Sequence, residues 1–307
     1  MGEHLSAIGL SVLFVVGIGL APAIHGLAVP DVHRFPTAIT NVVVIVFENE
    51  EGANVLTAGP FFHYLAAHYA YAANDYAVCH PSAPNYLALT SGATYSQCGS
   101  DARHVFTAAN LADRLEGAHR SWGAFSGSMP TACDTTSSYP YAVKHNPFLF
   151  YDDVVNNTTR CAAHDLSLSA WYLSVNRSAI PNYALIVPNL LDDGHDTNVT
   201  YSDLWLRAFL SPLLNATWFN HTAYLITYDE GTTSLGAGTS AAGPTNTTGG
   251  GHIYLALVSP LSVGVGNLTN ASSHYSVVTT VEWLLGLHST GHNDRPLAWP
   301  PLRAAFT

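Results

Sequence analysis

The sequence predicts an α/β fold, with one domain built on a mostly parallel sheet that is flanked by helices. Four short apolar runs are rich in β-branched or aromatic residues and are nearly continuous rather than alternating, which is typical of strands covered on both faces. Between them lie segments whose apolar residues recur at three- and four-residue spacing, as on one face of a helix. Alternating strands and helices indicate a doubly wound arrangement.

Each predicted element follows from these patterns. A further helix is expected to begin near Asn85, and the Gly- and Ser-rich residues 231–251 are expected to form a flexible loop. Residues 121–163 are rich in Ser, Pro, Tyr and Asn, which predicts a long ordered excursion over the face that carries the site. The predicted strands are 42–47, 183–187, 223–227 and 253–258, and the predicted helices are 61–72, 110–117, 202–214 and 276–287.

Residues 1–30 are predicted to be separable from the domain, which spans residues 31–307. An uncharged apolar stretch from Leu5 to Ile24 resembles a secretory signal, although no Lys or Arg precedes it. At about 20 residues it is also long enough to remain as a membrane anchor. The rest is therefore expected outside the cytoplasm, secreted or held by this segment, which would be its only membrane contact.

Composition narrows the class of partner. The formal net charge is −11 and no run of basic residues occurs, which argues against a nucleic-acid partner.

Four cysteines and nine Asn-x-Ser/Thr sequons agree with export and glycosylation. Of the possible disulfide pairings, the sequential one closes the shortest loops and is preferred: Cys79–Cys98 and Cys133–Cys161. The sequon asparagines are Asn156, Asn157, Asn176, Asn198, Asn215, Asn220, Asn246, Asn267 and Asn270.

Acidic residues follow three of the predicted strands. Because ligands bind at the carboxyl ends of strands in open α/β sheets, these side chains should share one edge, where their charges require a compensating cation. Oxygen ligands suit Mg²⁺, Ca²⁺ or Mn²⁺, whereas nitrogen from His195 or His252 would favour Zn²⁺ or Fe. The polar residues after these strands are Glu48 and Asn49, then Asp192, Asp193, His195 and Asp196, then Asp229 and Glu230.

A second feature is the segment His-Pro-Ser-Ala-Pro-Asn-Tyr at residues 80–86. Two prolines restrain the backbone around Ser82, which stands just ahead of the predicted helix. Unpaired backbone N–H groups at a helix start favour a bound anion, so Ser82 is a candidate nucleophile activated by a metal. The alternative is a serine that merely caps the helix, and the segment by itself does not separate the two.

Seven segments together resemble one known family, which includes bacterial and fungal acid phosphatases and phosphocholine-type phospholipases C. It is the phosphoesterase family of the alkaline phosphatase superfamily. The segments occur in the family's order and span roughly residues 42–287. They are VVVIVFENE, HPSAPNYLALTSG, KHNPF, VPNLLDDGHD, LITYDEG, GGHI and SHYSVVTTVEWLLGL.

The resemblance implies an alkaline-phosphatase-like fold and a phosphoric ester hydrolase with a role for each matching residue. Ser82 is similar to the nucleophile that forms a phosphoserine, and Asn85 to a residue that binds a phosphate oxygen. His145 and His195 resemble groups that contact phosphate or transfer protons, and His252 resembles a histidine near the leaving group. The implied metal ligands are Glu48, Asn49, Ser82, Asp229 and Glu230.

These observations predict a secreted, metal-dependent acid phosphatase that acts on a small phosphorylated substrate. The alternatives are a phospholipase C-like phosphodiesterase with the same site and an inactive glycosylated surface protein of the same fold. A sulfatase is disfavoured because no arginine closely follows Pro84. Lys144, the only lysine, is expected either to bind phosphate or to pair with Asp152 or Asp153. Neither the physiological substrate nor the oligomeric state is indicated.

Overall fold

The computed structural model describes residues 38–236, 249–295 and 299–306, which belong to one compact unit of residues 35–307. The N-terminal segment 1–30 and the sequon at Asn246 lie outside the described residues. Among the described residues, no helix combines the length and the apolar character needed to cross a bilayer.

Eleven strands of the described residues form two sheets. The strands are β1 (Asn41–Phe47), β2 (Ala70–Ala72), β3 (Asp75–Tyr76), β4 (Trp122–Ser126), β5 (Asp165–Ser167), β6 (Tyr183–Val187), β7 (Thr222–Tyr228), β8 (His252–Ile253), β9 (Leu255–Val258), β10 (Gly266–Leu268) and β11 (Ser272–Ser273). The main sheet has eight strands in the order β10-β2-β9-β7-β1-β6-β4-β5, and a small sheet has the order β11-β3-β8.

The main sheet is parallel except for β9, which runs antiparallel to β2 and β7. The predicted mostly parallel α/β fold is therefore confirmed. Central strand β1 pairs with β6 on one side and with β7 on the other. The register places Phe47 opposite Tyr228, so the residues that follow β1 and β7 emerge side by side.

Helices cover both faces of this sheet, as the nearly continuous apolar strands predicted. The α-helices are α1 (Gly52–Ala58), α2 (Pro60–His68), α3 (Ser82–Ser91), α4 (Leu111–Gly117), α5 (Asp152–Val155), α6 (Thr158–His164), α7 (Leu168–Asn176), α8 (Val199–Leu214) and α9 (His274–Leu285). Alternate residues of β1 enter opposite cores: Val44 packs in the core that contains α3 and α9, and Ile45 in the core with α2 and α8.

One strand prediction was wrong, and one strand was not predicted. Residues 253–258 do not form one strand, because the chain leaves β8 and enters β9 around Tyr254, whose hydroxyl donates to the Phe62 carbonyl. The excursion expected over residues 121–163 begins inside the main sheet as β4, between β5 and β6. Strand β4 is short and its sequence WGAFS has few β-branched residues, so its pattern gives little strand signal.

Helix boundaries differ from the predictions by a few residues, with one larger correction. The helix expected over residues 61–72 ends at His68, because Tyr69 adopts an extended conformation, and residues 70–72 form β2. Helix α2 begins where the Asp203 carboxylate accepts the backbone N–H groups of Phe61 and Phe62, at 2.8 and 2.9 Å. A distant side chain therefore supplies the cap that the local sequence lacks.

Both predicted disulfides are present, Cys79–Cys98 and Cys133–Cys161. The first connects the segment before Ser82 with the loop after helix α3. The second connects the excursion after β4 with helix α6.

Candidate active site

The carboxyl ends of β1 and β7 place two carboxylates in contact. Glu48 and Asp229 are both buried, at 1% and 0% exposure. The Asp229 Oδ1 atom accepts the backbone N–H of Asn49 at 3.1 Å and that of Glu230 at 2.6 Å. The Asn49 side chain donates to Glu48 Oε2 at 3.2 Å. Four of the predicted metal ligands are therefore joined in one hydrogen-bonded group.

A third acid and two histidines complete this edge. Asp193, in the loop after β6, is fully buried, and its carbonyl accepts the Glu48 N–H. His145 lies between the acids, with Nε2 3.0 Å from Glu48 Oε1 and Nδ1 3.8 Å from Asp193 Oδ2. His195 is one-third exposed, and its Nε2 lies 3.7 Å from Glu48 Oε2. Its Nδ1 bonds the Asp196 carboxylate at 2.7 Å, which orients the imidazole.

The pKa values of the buried acids are shifted in opposite directions, according to the partner of each. Burial by itself would raise the pKa of Glu48, but His145 and a hydrogen bond with Asp229 lower it below its ordinary value. Burial and the Glu48 charge raise the pKa of Asp229 well above its ordinary value. The same two causes raise the pKa of Asp193 to about 9. In the absence of a cation Asp229 and Asp193 therefore retain protons beside an ionised Glu48, and a bound cation would displace those protons.

The chemistry of this group fits a metal ion. Four buried polar atoms at the edge make no hydrogen bond of acceptable geometry among the described residues, although two of them, Glu48 Oε1 and His145 Nε2, lie 3.0 Å apart. Buried polar groups are almost always fully paired. Within that same part of the chain, no three His, Cys, Asp or Glu side chains form a preformed ligand cluster. The predicted ligand set, however, also draws on an amide and a hydroxyl. The four atoms are Glu48 Oε1, His145 Nε2, Asp193 Oδ2 and Asp229 Oδ2.

Ser82 is the first residue of helix α3 and is 1% exposed. The helix was expected to begin near Asn85, three residues later. Pro81 occupies the cap position, and the backbone N–H of Ala83 is accepted by the distant Asp101 carboxylate. Ser82 is therefore not the capping serine that the sequence left as an alternative. Its hydroxyl instead accepts the Lys144 ammonium at 3.3 Å.

The Asn85 amide fixes the turn that precedes Ser82. Its oxygen accepts the N–H groups of Val78 and Cys79 at 3.0 and 3.2 Å. Its nitrogen donates to the carbonyls of Cys79 and Pro81 at 2.6 and 3.2 Å. The structure therefore gives Asn85 a positioning function, and the phosphate contact implied by the resemblance stays a prediction.

Lys144 does not pair with Asp152 or Asp153, and that prediction was wrong. Its ammonium bonds the Asp101 carboxylate at 3.0 Å. Burial would lower the pKa of Lys144, but the nearby carboxylates, with Glu48 first, raise it above its ordinary value. Lys144 therefore remains a cation beside Ser82.

Glu230 faces the segment that leads into helix α3. Its Oε2 atom bonds His80 Nδ1 at 2.6 Å, and His80 Nε2 lies 2.8 Å from the Thr233 carbonyl. Burial raises the pKa of Glu230 to about 7, against the opposing influence of His80. His80 therefore links Glu230, which follows the end of β7, to the residues around Ser82.

His252 lies in the small sheet, and its imidazole makes no hydrogen bond with the group of acids among the described residues. Its Nε2 lies 2.8 Å from the Ala73 carbonyl, and its ring packs edge-on against Tyr76. Hydrogen bonds of the described residues do not join His252 to Ser82. Its predicted role near the leaving group is therefore not supported by a contact at this site.

Glu51 secures the loop that carries Glu230. Its Oε1 atom accepts the backbone N–H groups of Thr232 and Thr233 at 3.0 and 2.9 Å. Its Oε2 atom accepts the N–H of His252 at 3.2 Å. One carboxylate therefore joins both ends of the loop that contains the undescribed residues 237–248.

We expect Glu51→Ala to lower the free energy of unfolding by about 2 kcal/mol, because three N–H groups lose a charged acceptor. Thermal or urea denaturation would measure the loss. Glu51→Gln keeps one acceptor oxygen and should fall between Ala and the wild type. Identical stability of all three proteins would contradict this function of Glu51.

Several supporting residues were missed by sequence reasoning. Helix α9 begins with His274, whose buried Nε2 bonds the Asp229 carbonyl at 2.6 Å. Asn146, next to His145, donates to the buried Asp165 carboxylate at 2.8 Å. Burial lowers the pKa of His274 to about 4 and raises that of Asp165 to about 7. The one signal in the sequence for these residues was that Asn146 directly follows His145, a predicted site residue.

A family model described as the Phosphoesterase family matches residues 56–288. The match covers the helix that begins at Ser82, the short 3₁₀ helix that carries His145, and the ends of β6 and β7, which are followed by Asp193 and Asp229. Glu48 and Asn49 lie just before it.

Three relatives differ in how much of each chain is shared. A phosphate-repressible acid phosphatase of Penicillium chrysogenum is 33% identical over 168 residues, covering 52% of this chain and 40% of that protein. An acid phosphatase of Aspergillus niger is 30% identical over 234 residues, covering 72% and 52%. A phosphatidylinositol-3-phosphatase of Mycobacterium tuberculosis is 29% identical over 293 residues, covering 92% and 90%. The chain thus spans about half, or less, of these two fungal relatives.

Solved structures agree on the fold. A protein of the alkaline phosphatase superfamily from Vibrio parahaemolyticus superposes with a TM-score of 0.56 at 12% identity, covering 87% of this chain and 76% of that one. Murine ectonucleotide pyrophosphatase/phosphodiesterase 5 gives a TM-score of 0.55 at 13% identity, covering 84% and 98%. At such identities the likeness confirms the fold class.

Proposed function

The chain belongs to the Phosphoesterase family, and we propose that it is a metal-dependent phosphomonoesterase of the acid phosphatase type whose nucleophile is Ser82. The observation that carries this proposal is the buried pair Glu48 and Asp229 at adjacent strand ends, with Ser82 and a lysine at the same edge. A helix start suits an anionic phosphate, and the carboxylates suit a cation.

We infer that Ser82 Oγ loses its proton and bonds phosphorus while the ester oxygen departs with its electron pair and takes up a proton. A water oxygen then loses a proton and bonds phosphorus as the Oγ–P bond of the phosphoserine breaks, so that Ser82 Oγ regains a proton and inorganic phosphate is released. His195 is placed to exchange protons with solvent, since it is one-third exposed and anchored by Asp196. His145 is buried and would hold Glu48 in place.

The cation would be held by Glu48, Asn49, Ser82, Asp229 and Glu230. A divalent ion bound there would lower the pKa of the serine hydroxyl and neutralise phosphate charge. Mg²⁺, Ca²⁺, Mn²⁺ and Zn²⁺ all remain candidates, because the set is mainly oxygen with histidines beside it.

We propose further that the enzyme works outside the cytoplasm. Its two disulfides suit an oxidising compartment, and the eight sequon asparagines in the described residues are all exposed. Cleavage or retention of residues 1–30 would decide between a secreted and an anchored protein.

A substrate panel tests the proposed reaction. We expect p-nitrophenyl phosphate to be hydrolysed at least about tenfold faster than p-nitrophenylphosphorylcholine, with a pH optimum in the acid range. A phosphatidylinositol 3-phosphate arm is included because the Mycobacterium tuberculosis relative is named for that substrate. Preferred cleavage of the choline diester would favour the phospholipase C-like alternative. No hydrolysis of any substrate with any of the four metals would favour the inactive surface protein.

A further inference from the structure

The Asp101 carboxylate joins the sole lysine to the start of the nucleophile helix. Its Oδ1 atom accepts the Ala83 N–H at 3.0 Å, and its Oδ2 atom accepts the Lys144 ammonium, also at 3.0 Å. Lys144 in turn donates to Ser82 Oγ at 3.3 Å. The three side chains form a continuous chain of contacts that returns to the backbone next to Ser82.

The loop that carries Asp101 is tied to the same segment by two further links. The disulfide Cys79–Cys98 holds this loop to the residues before Ser82. The Gly99 N–H donates to the His80 carbonyl at 2.7 Å. Asp101 is therefore held close to the start of helix α3, although the whole helix lies between Ser82 and Asp101 in the sequence.

Lys144 is held on its other side by the turn that places His145. The short 3₁₀ helix Val143–His145 carries both residues, and His145 lies against Glu48. The lysine side chain is one-quarter exposed. Its backbone is thus anchored near the group of acids while its ammonium spans the distance to Ser82.

Resting on the proposed function, we propose that Lys144 is a catalytic residue that stabilises negative charge on the Ser82 oxygen, and that Asp101 is the residue that positions it. An ammonium donates three hydrogen bonds, of which Ser82 and Asp101 accept two. The third can be donated to an oxygen of the bound phosphate. A donor held in place before reaction stabilises developing charge without reorganisation, and Asp101 restricts an otherwise flexible side chain.

The first test compares Asp101→Asn, Lys144→Met and the double variant. Lys144→Met should lower kcat about 100-fold, as does removal of one charge-stabilising donor, with little change in KM. Asp101→Asn should lower kcat about tenfold, because the amide retains a weaker contact. If Asp101 acts through Lys144, the double variant is no slower than Lys144→Met. Losses that multiply in the double variant would overturn the positioning role.

Stability is followed in parallel. Lys144→Met removes no acceptor of a backbone N–H, so its thermal midpoint should stay within a few degrees of the wild type. Asp134→Asn is the matched control, since Asp134 also accepts a backbone N–H, from Thr136, but in the excursion after β4. Its kcat should equal that of the wild type. A wild-type kcat for Lys144→Met would overturn the catalytic role.

A second readout does not depend on turnover. Protein grown with ¹⁵N-lysine gives a single side-chain ammonium signal, because the chain has one lysine. Asp101→Asn should shift this signal or broaden it by solvent exchange, and Asp134→Asn should leave it unchanged. If the wild type hydrolyses no phosphoester, the proposed function fails, while this signal still reports whether Asp101 holds Lys144. An ammonium signal insensitive to Asp101→Asn would overturn the inference in either case.

Discussion

Ser82→Ala should abolish hydrolysis of p-nitrophenyl phosphate, with kcat falling by roughly 10³-fold or more, as expected for loss of a nucleophile. The fold should persist, because the Ser82 hydroxyl caps no helix and bonds only the Lys144 ammonium among the described residues. Steady-state kinetics and a thermal denaturation curve measure the two expectations together.

Ser91→Ala is the matched control, since Ser91 ends the same helix, is equally buried, and its hydroxyl donates to the Leu87 carbonyl of that helix. It removes the same hydroxyl and should retain nearly full activity. If Ser82→Ala retained near-wild-type turnover, the assignment of the nucleophile would be wrong. Wild-type enzyme quenched during turnover of a ³²P-labelled monoester should carry label on Ser82.

Removal of divalent cations should also eliminate turnover, and one of Mg²⁺, Ca²⁺, Mn²⁺ or Zn²⁺ should restore it. Glu48 and Asp229 are buried side by side, and Glu48 Oε1 and Asp229 Oδ2 make no hydrogen bond of acceptable geometry. A cation is therefore required to compensate their negative charges when an anionic phosphate binds beside them. The restoring cation should raise the free energy of unfolding, by about 2.7 kcal/mol at a concentration 100 times its Kd. Dialysis against a chelator, followed by kinetics and calorimetry, measures both effects.

Asp229→Asn tests whether this response arises at the proposed ligands. Its amide oxygen can still accept the N–H groups of Asn49 and Glu230, so the protein should fold, but it should lose activity and the cation-induced stabilisation. Asp75→Asn is the control, because Asp75 is equally buried but bonds Ser272 in the small sheet. Unchanged rates after exhaustive chelation would contradict metal dependence.

The sequence determined the parts of the site that follow directly from strand ends. A nearly continuous apolar run signals a strand buried on both faces, and the residue after it must emerge at an edge of the sheet. Glu48 and Asp229 were found in this way, and so was Asp193. The same patterns gave the fold class, but short β4 escaped because it lacks the β-branched residues that mark a strand.

The sequence also singled out Ser82, through two prolines and a following apolar run, but not what its hydroxyl contacts. Local pattern left a capping serine as an equal alternative. The helix start at Ser82 removed that alternative, since the cap position is occupied by Pro81. Family resemblance supplied the proposed role, which the experiments above test.

Side-chain partners were decided by the tertiary structure. Lys144 bonds Asp101 across 43 residues of sequence, and His80 bonds Glu230 across 150. The Asn85 side chain bonds backbone groups of residues 78–81, and the His252 imidazole bonds the Ala73 carbonyl. Composition and periodicity report which face of an element is buried, because burial depends on residues only a few positions apart. Which charged group meets which depends on sheet order and register, and these are fixed only when distant segments pack together.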